Sequence, residues 1–73
     1  MTTKQQIGRA LQSARKQKNI SQQELKDLSK LTANQISNIE NGKSNPTINT
    51  LERIAEVLDK EIVFSLNDKN ELV

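Results

Sequence analysis

Ser21-Gln22-Gln23-Glu24-Leu25-Lys26-Asp27-Leu28-Ser29-Lys30-Leu31-Thr32-Ala33-Asn34-Gln35-Ile36-Ser37-Asn38-Ile39-Glu40-Asn41-Gly42 is the stretch on which the fold turns. Ser21 precedes Glu24 by three positions. At that spacing the hydroxyl can accept from a backbone N–H of the first turn while the carboxylate accepts from the cap's own N–H. Thr32 and Gln35 repeat the pattern, so a second helix starts after only about three linking residues. Leu25 and Leu28 supply the expected buried side of the first of these helices, and Ile36 and Ile39 that of the second. Gly42 suits the left-handed position that closes a helix. The segment therefore reads as two short helices joined by a tight turn.

Elements on either side extend the pattern. Thr3 and Gln6 have capping-box spacing, and Ile7, Ala10, Leu11 and Ala14 follow as one apolar stripe, so a helix is expected from about Thr3 to Lys18. Asn19 is its expected left-handed stop. Pro46 marks a loop, and Thr47 caps a fourth helix carrying Ile48, Leu51, Ile54, Ala55 and Leu58. After a turn at Asp59-Lys60, the alternation of Ile62, Phe64 and Leu66 within a β-branched run predicts a strand over 61–66. Residues 1–66 are then one domain and 67–73 a frayed tail, with no internal repeat, low-complexity tract or linker. The expected class is all-α, four to five helices with a short C-terminal β-strand.

Composition narrows the chemistry. The 73 residues contain no Cys, His, Trp or Tyr, and Phe64 is the single aromatic. Disulfides, thiolate zinc sites, cysteine nucleophiles and histidine-based dyads are excluded, as are aromatic platforms for stacking single-stranded bases. Glu52 and Glu56 stand four apart, a spacing that can hold a metal, but with no His or second acidic cluster a solvated face is expected. Ser29, Ser37 and Lys30 contain the ingredients of a Ser-Lys pair without any implied pocket. No catalytic residue, metal or cofactor is expected. The longest apolar run, Ile62-Val63-Phe64, is far short of the roughly 20 residues a membrane helix needs, and a cytoplasmic protein is expected.

Charge is unevenly placed. Residues 1–43 hold eight basic and three acidic side chains, a net +5, whereas residues 44–73 hold three basic and six acidic, a net −3. The front half suits a polyanion. The first 23 residues hold no acid and could pass for a basic targeting helix, but their apolar stripe is needed by the fold. With Ile36 and Ile39 turned to the core, the opposite face of the third helix carries Asn34, Ser37, Asn38 and Asn41. Asn is a poor helix former, so several on one exposed face call for a reason. A bidentate Asn amide matches the N6/N7 edge of adenine in the major groove.

Two short helices at a tight turn within a set of four are the helix-turn-helix arrangement. From Ile20 through Lys43, and on through Asn45-Pro46-Thr47 and Leu51 to Leu58, the sequence strongly resembles the phage repressor/Cro class, or XRE family, of helix-turn-helix proteins. The combination Ser21-Gln22-x-Glu24-Leu25 with Ile36-Ser37-x-Ile39-Glu40-Asn41-Gly42-Lys43-x-x-Pro46 carries the likeness, which covers about residues 7–58. It departs at Lys26, where the family usually has Ala, and at Lys30, where the turn usually has Gly. A left-handed backbone at Lys30 would cost roughly 1 kcal/mol.

The resemblance implies a lambda-repressor-like domain that binds double-stranded DNA at a pseudo-palindromic operator as a homodimer, acting as a repressor. It implies Ala33, Asn34, Ser37 and Asn38 at base edges, Ala33 offering a methyl to thymine. Gln22 is implied as a phosphate contact, with Gln35, Asn41, Lys43 and Ser44 holding the flanking backbone. Arg15 and Glu40 are implied as a structural ion pair between the first and third helices. A lone strand has unpaired edges, so Ile62, Phe64 and Leu66 are the expected dimerisation residues, pairing with a second copy across a two-fold axis. That arrangement resembles the HipB-like antitoxin partners of HipA-type kinase toxins. Two alternatives stand beside the repressor: an antitoxin that autorepresses its operon and binds a toxin, and a helical protein-interaction module that does not bind DNA.

Overall fold

The computed structural model describes residues 1–69; of the frayed tail expected over 67–73, residues 70–73 lie outside the described residues. Four helices follow in order: α1 (Thr3–Gln17), α2 (Gln22–Ser29), α3 (Ala33–Glu40) and α4 (Ile48–Val57). No strand occurs among the described residues, so the class is all-α.

Local chemistry sets every boundary. Ser21 and Thr32 close full capping boxes with Glu24 and Gln35, and Thr47 Oγ1 accepts from the Thr50 N–H at 3.1 Å. The box opening α1 is formed by Thr2 and Gln5, one residue earlier than the Thr3–Gln6 spacing predicts. Both pairs have the required separation; the earlier one wins and adds Thr3 to the first turn. At the other ends all four helices stop in left-handed backbone, at Asn19 (φ 58°), Lys30 (φ 62°), Gly42 (φ 70°) and Asp59 (φ 56°). After α1, α3 and α4 the two closing hydrogen bonds of a Schellman motif are both made, as by Lys43 N–H to the Asn38 carbonyl (2.9 Å) and Gly42 N–H to that of Ile39 (3.1 Å). The turn after α2 has the simpler single bond, Lys30 N–H to the Lys26 carbonyl, and Lys30 bears the expected left-handed strain.

The core joins all four helices. Leu11, Leu25, Leu31, Ile36, Ile39, Leu51, Ile54 and Leu58 form one buried cluster, with Ile7, Ala14, Ile20 and Val57 packed against it. Leu25, Ile36 and Ile54, one each from α2, α3 and α4, are its most completely enclosed large side chains. Burying each contributes about 1.5–3 kcal/mol. α3 packs on α1 and α2, and α2 also packs on α4.

Three expected core positions lie outside. Leu28 is 60% exposed. At about 100° per residue, Gln22, Leu25, Lys26 and Ser29 span one side of α2, and Leu28 falls beyond its edge. Ser29 takes the inward place, and its hydroxyl donates to the Leu25 carbonyl at 2.6 Å. Ile48 is 71% exposed because, as the first residue of α4, it projects past the packed layer. Ala10 is exposed, and the buried side of α1 carries Gly8 and Arg15 beside Leu11 instead. The strand expected over 61–66 is also absent. Among the described residues no second strand is present to pair with its edges, and Val63, Phe64 and Leu66 stand open to solvent.

Candidate nucleic-acid interface

α3 presents a buried and an open side. Ile36 and Ile39 anchor it to the core, while Ala33, Asn34 and Asn38 are exposed and Ser37 is half-buried. These four residues share the outward side and its first turn. Asn34 and Asn38 are separated by one helical turn, and neither side-chain amide has an intramolecular partner among the described residues. Their donor and acceptor pairs therefore face solvent ready for another polar edge.

The residues expected on the phosphate backbone surround this side. Gln35 Oε1 accepts from the Thr32 N–H at 2.8 Å, which holds the side chain across the start of α3 and turns its NH2 to other acceptors. Asn41 donates through Nδ2 to Ser37 Oγ at 3.3 Å. Lys43 is exposed and Ser44 half-buried in the loop after α3. Gln22 opens α2, but its Nε2 donates to Glu40 Oε1 at 3.0 Å, so one of its two N–H groups is already committed within the protein.

That bond belongs to a network that fixes the angle of α3. Arg15 Nε donates to Glu40 Oε2 at 2.7 Å and Arg15 Nη2 to Glu40 Oε1 at 3.1 Å, a bidentate fork across α1 and α3. Arg15 Nη1 reaches the Ile20 carbonyl at 2.8 Å, tying in the link to α2. The Glu40 side chain is only 2% exposed, yet accepts three N–H groups. A buried carboxylate is tolerable only when so satisfied. No buried side-chain nitrogen or oxygen among the described residues lacks a partner.

A second constraint comes from Gly8, a residue that sequence reasoning missed. A Cβ there would stand 2.7 Å from the Glu40 carbonyl oxygen and closer still to that of Ile39. α1 thus rests directly on the last turn of α3, and only glycine permits the approach. Its signal was present in the sequence, since glycine inside a helix costs about 1 kcal/mol relative to Ala and so calls for a packing reason.

Residues 11–64 match the family model described as Helix-turn-helix. The chain belongs to the XRE-type helix-turn-helix family. Among solved structures, this helix-turn-helix chain is similar to the clp gene regulator ClgR from Corynebacterium glutamicum, with a TM-score of 0.79 and 23% identity. The match covers 82% of the present chain and 64% of that one, and at this identity it bears on the fold alone. The comparison with curated proteins found no match. The family match marks residues 11–64 as a helix-turn-helix DNA-binding module. No helix among the described residues is long and apolar enough to cross a membrane, and no cluster of three potential metal ligands occurs among them.

Proposed function

We propose that this helix-turn-helix protein is a homodimeric repressor that reads operator sequence with α3. The observation that carries the reading is the free amide pair Asn34 and Asn38, on a helix whose other side is locked by Ile36, Ile39 and the Glu40 network. Ala33, Asn34, Ser37 and Asn38 meet base edges in the major groove, and Gln22, Gln35, Asn41, Lys43 and Ser44 hold the flanking phosphates. Gln22 does this with the N–H that Glu40 leaves free. Two copies place their α3 helices in successive major grooves, with half-sites about 34–36 Å apart. Ile62, Phe64 and Leu66 supply the dimer contact: Phe64 is 79% exposed and Leu66 87%, an apolar edge that a second copy would cover. Occupancy of promoter DNA then represses.

The test is a mobility-shift titration with a duplex selected from a random pool by the wild-type protein. Asn34→Ala and Asn38→Ala should each weaken specific binding by about 1–3 kcal/mol while binding to random duplex persists. Unchanged binding in both variants would remove α3 as the reader.

A second reading, an antitoxin of the HipB-like kind, draws on the net −3 of residues 44–73 together with their exposed apolar tail. Such a surface suits a basic protein partner. A kinase-like toxin gene beside this one, and a stable complex of the two products, would favour it.

A further inference from the structure

The outer face of α1 is not explained by the contacts already described. Gln5, Arg9, Gln12 and Lys16 lie on one side of α1 at helical spacing, turned away from the buried Leu11 and Arg15. Where this face meets the end of α3 it forms an open cleft lined by Met1, Gln5, Arg9, Gln12, Glu40 and Asn41. A second shallow groove continues from Arg9 along α1 to Lys16 and Gln17. Arg9 makes no ion pair and no hydrogen bond among the described residues. Neither cleft has an acidic lining residue except Glu40, whose carboxylate is enclosed and already accepts three N–H groups.

The cleft therefore gathers one guanidinium and three side-chain amides, of Gln5, Gln12 and Asn41, around an opening beside the last turn of α3. That chemistry fits a phosphodiester oxygen. Its walls are held together by the close approach of Gly8 to the backbone of Ile39 and Glu40 and by Gly42 against Gln5. Gln5 and Arg9 precede the residues matched by the family model. We propose that Arg9, which lines this cleft together with Gln5 and Gln12, clamps a backbone phosphate of the DNA duplex beside Asn41. This rests on the reading of α3 as a major-groove helix, because only a duplex docked there brings its backbone past the end of α3. Arg9 is then a positioning residue that adds affinity without base preference.

The experiment measures binding of the selected duplex and of a random duplex of equal length by fluorescence anisotropy from 50 to 200 mM KCl, a salt range over which phosphate contacts change affinity strongly. Wild type is compared with Arg9→Gln and with Arg53→Gln, a charge-matched control on the exposed side of α4. Circular dichroism confirms that each variant folds. Loss of one phosphate contact per subunit should lower the slope of log K against log salt by about 0.9 per subunit in Arg9→Gln and leave Arg53→Gln at the wild-type slope. Arg9→Gln should weaken both duplexes by the same factor. An unchanged slope in Arg9→Gln overturns the clamp while leaving α3 as reader. Equal slope losses in both variants also overturn it, by reducing the effect to net charge. If wild type shows no salt-dependent duplex binding, the DNA-binding reading fails and the clamp fails with it.

Discussion

Replacing Gly8 with alanine tests the packing that aims α3. The new methyl would stand 2.7 Å from the Glu40 carbonyl oxygen and 2.9 Å from its carbonyl carbon, with the Ile39 carbonyl oxygen nearer still. All three are backbone atoms of one helical turn, so no rotamer change can relieve the overlap. Ordinary contact begins at 3.4 Å, and α1 would have to retreat from α3 by about 0.7 Å or more. Such overpacking typically costs 1–3 kcal/mol, and the upper part of that range, about 2–3 kcal/mol, applies where the new methyl meets three backbone atoms. Alanine returns about 1 kcal/mol of helix propensity. The net expectation is a loss of about 1–2 kcal/mol, or several degrees in Tm for a domain of this size. The assay is urea unfolding by far-UV circular dichroism at one fixed protein concentration, since dimerisation would make stability concentration-dependent. Ala10→Gly, on the exposed side of the same helix, is the matched control. It meets no neighbour and should lose about 1 kcal/mol by propensity alone. Glycine is thus favoured at position 8 and alanine at position 10. A Gly8→Ala protein as stable as wild type, or more so, would refute the close approach.

Four further outcomes follow from the same geometry. Arg15→Met should destabilise by about 3–5 kcal/mol, because it leaves the Glu40 carboxylate buried with Gln22 alone; an unchanged unfolding midpoint with weakened DNA binding would instead place Arg15 on phosphate. Lys30→Gly should stabilise by roughly 0.5–1 kcal/mol, the relief of a left-handed side chain at φ 62° less the added freedom of the unfolded chain, read as a rise in the urea midpoint. Leu28→Lys should stay within about 0.5 kcal/mol of wild type, whereas Leu25→Ala should lose about 2–5 kcal/mol, both by urea titration. The Lys18 ammonium, hydrogen-bonded to Asp59 and attracting it, holds that carboxyl below its ordinary value of 3.8. A carboxyl lowered on folding adds stability above its unfolded pKa and loses it as pH falls through the lowered value. The small advantage of wild type over Lys18→Met should therefore be present at neutral pH, vanish in acid, and shrink in high salt.

Much of this architecture was legible because its boundaries are set by neighbours in sequence. Capping boxes at Ser21 and Thr32, the cap at Thr47 and the left-handed stops at Asn19 and Gly42 depend on residues within one turn of each other. The misread positions depend on what lies across the fold. Thr2 and Thr3 offered equivalent spacings, and spacing alone does not rank them. Leu28 satisfies a helical period with Leu25, but the inward direction of α2 is set by where α1, α3 and α4 lie, and it passes through Ser29. Gly8 looks like an ordinary weak helix former until residues 39 and 40 arrive beside it. The outward face of α3 was legible for a different reason: several Asn residues in a helix run against local propensity, and such a conflict marks a position kept for something other than folding.

The polar network around Glu40 makes sense beside the amide face of α3 that is proposed to read DNA. An eight-residue helix such as α3 is too short to persist alone, so its shape and direction come from what it packs on. Ile36 and Ile39 hold it to the core, yet apolar contacts are non-directional and permit small rotations about the helix axis. A bidentate guanidinium fork does not, because its N–H vectors must meet both oxygens of one carboxylate. Bidentate amide contacts to a base edge require a comparable angular match, and Asn34 and Asn38 lie on the same short helix as Glu40. An apolar pair in place of Arg15 and Glu40 would conserve or raise stability while loosening that match. Arg15→Met combined with Glu40→Leu should accordingly regain most of the unfolding free energy lost in Arg15→Met, without regaining the discrimination between selected and random duplex. Recovery of both together would show that stability alone, and not the angle of α3, governs how this protein reads DNA.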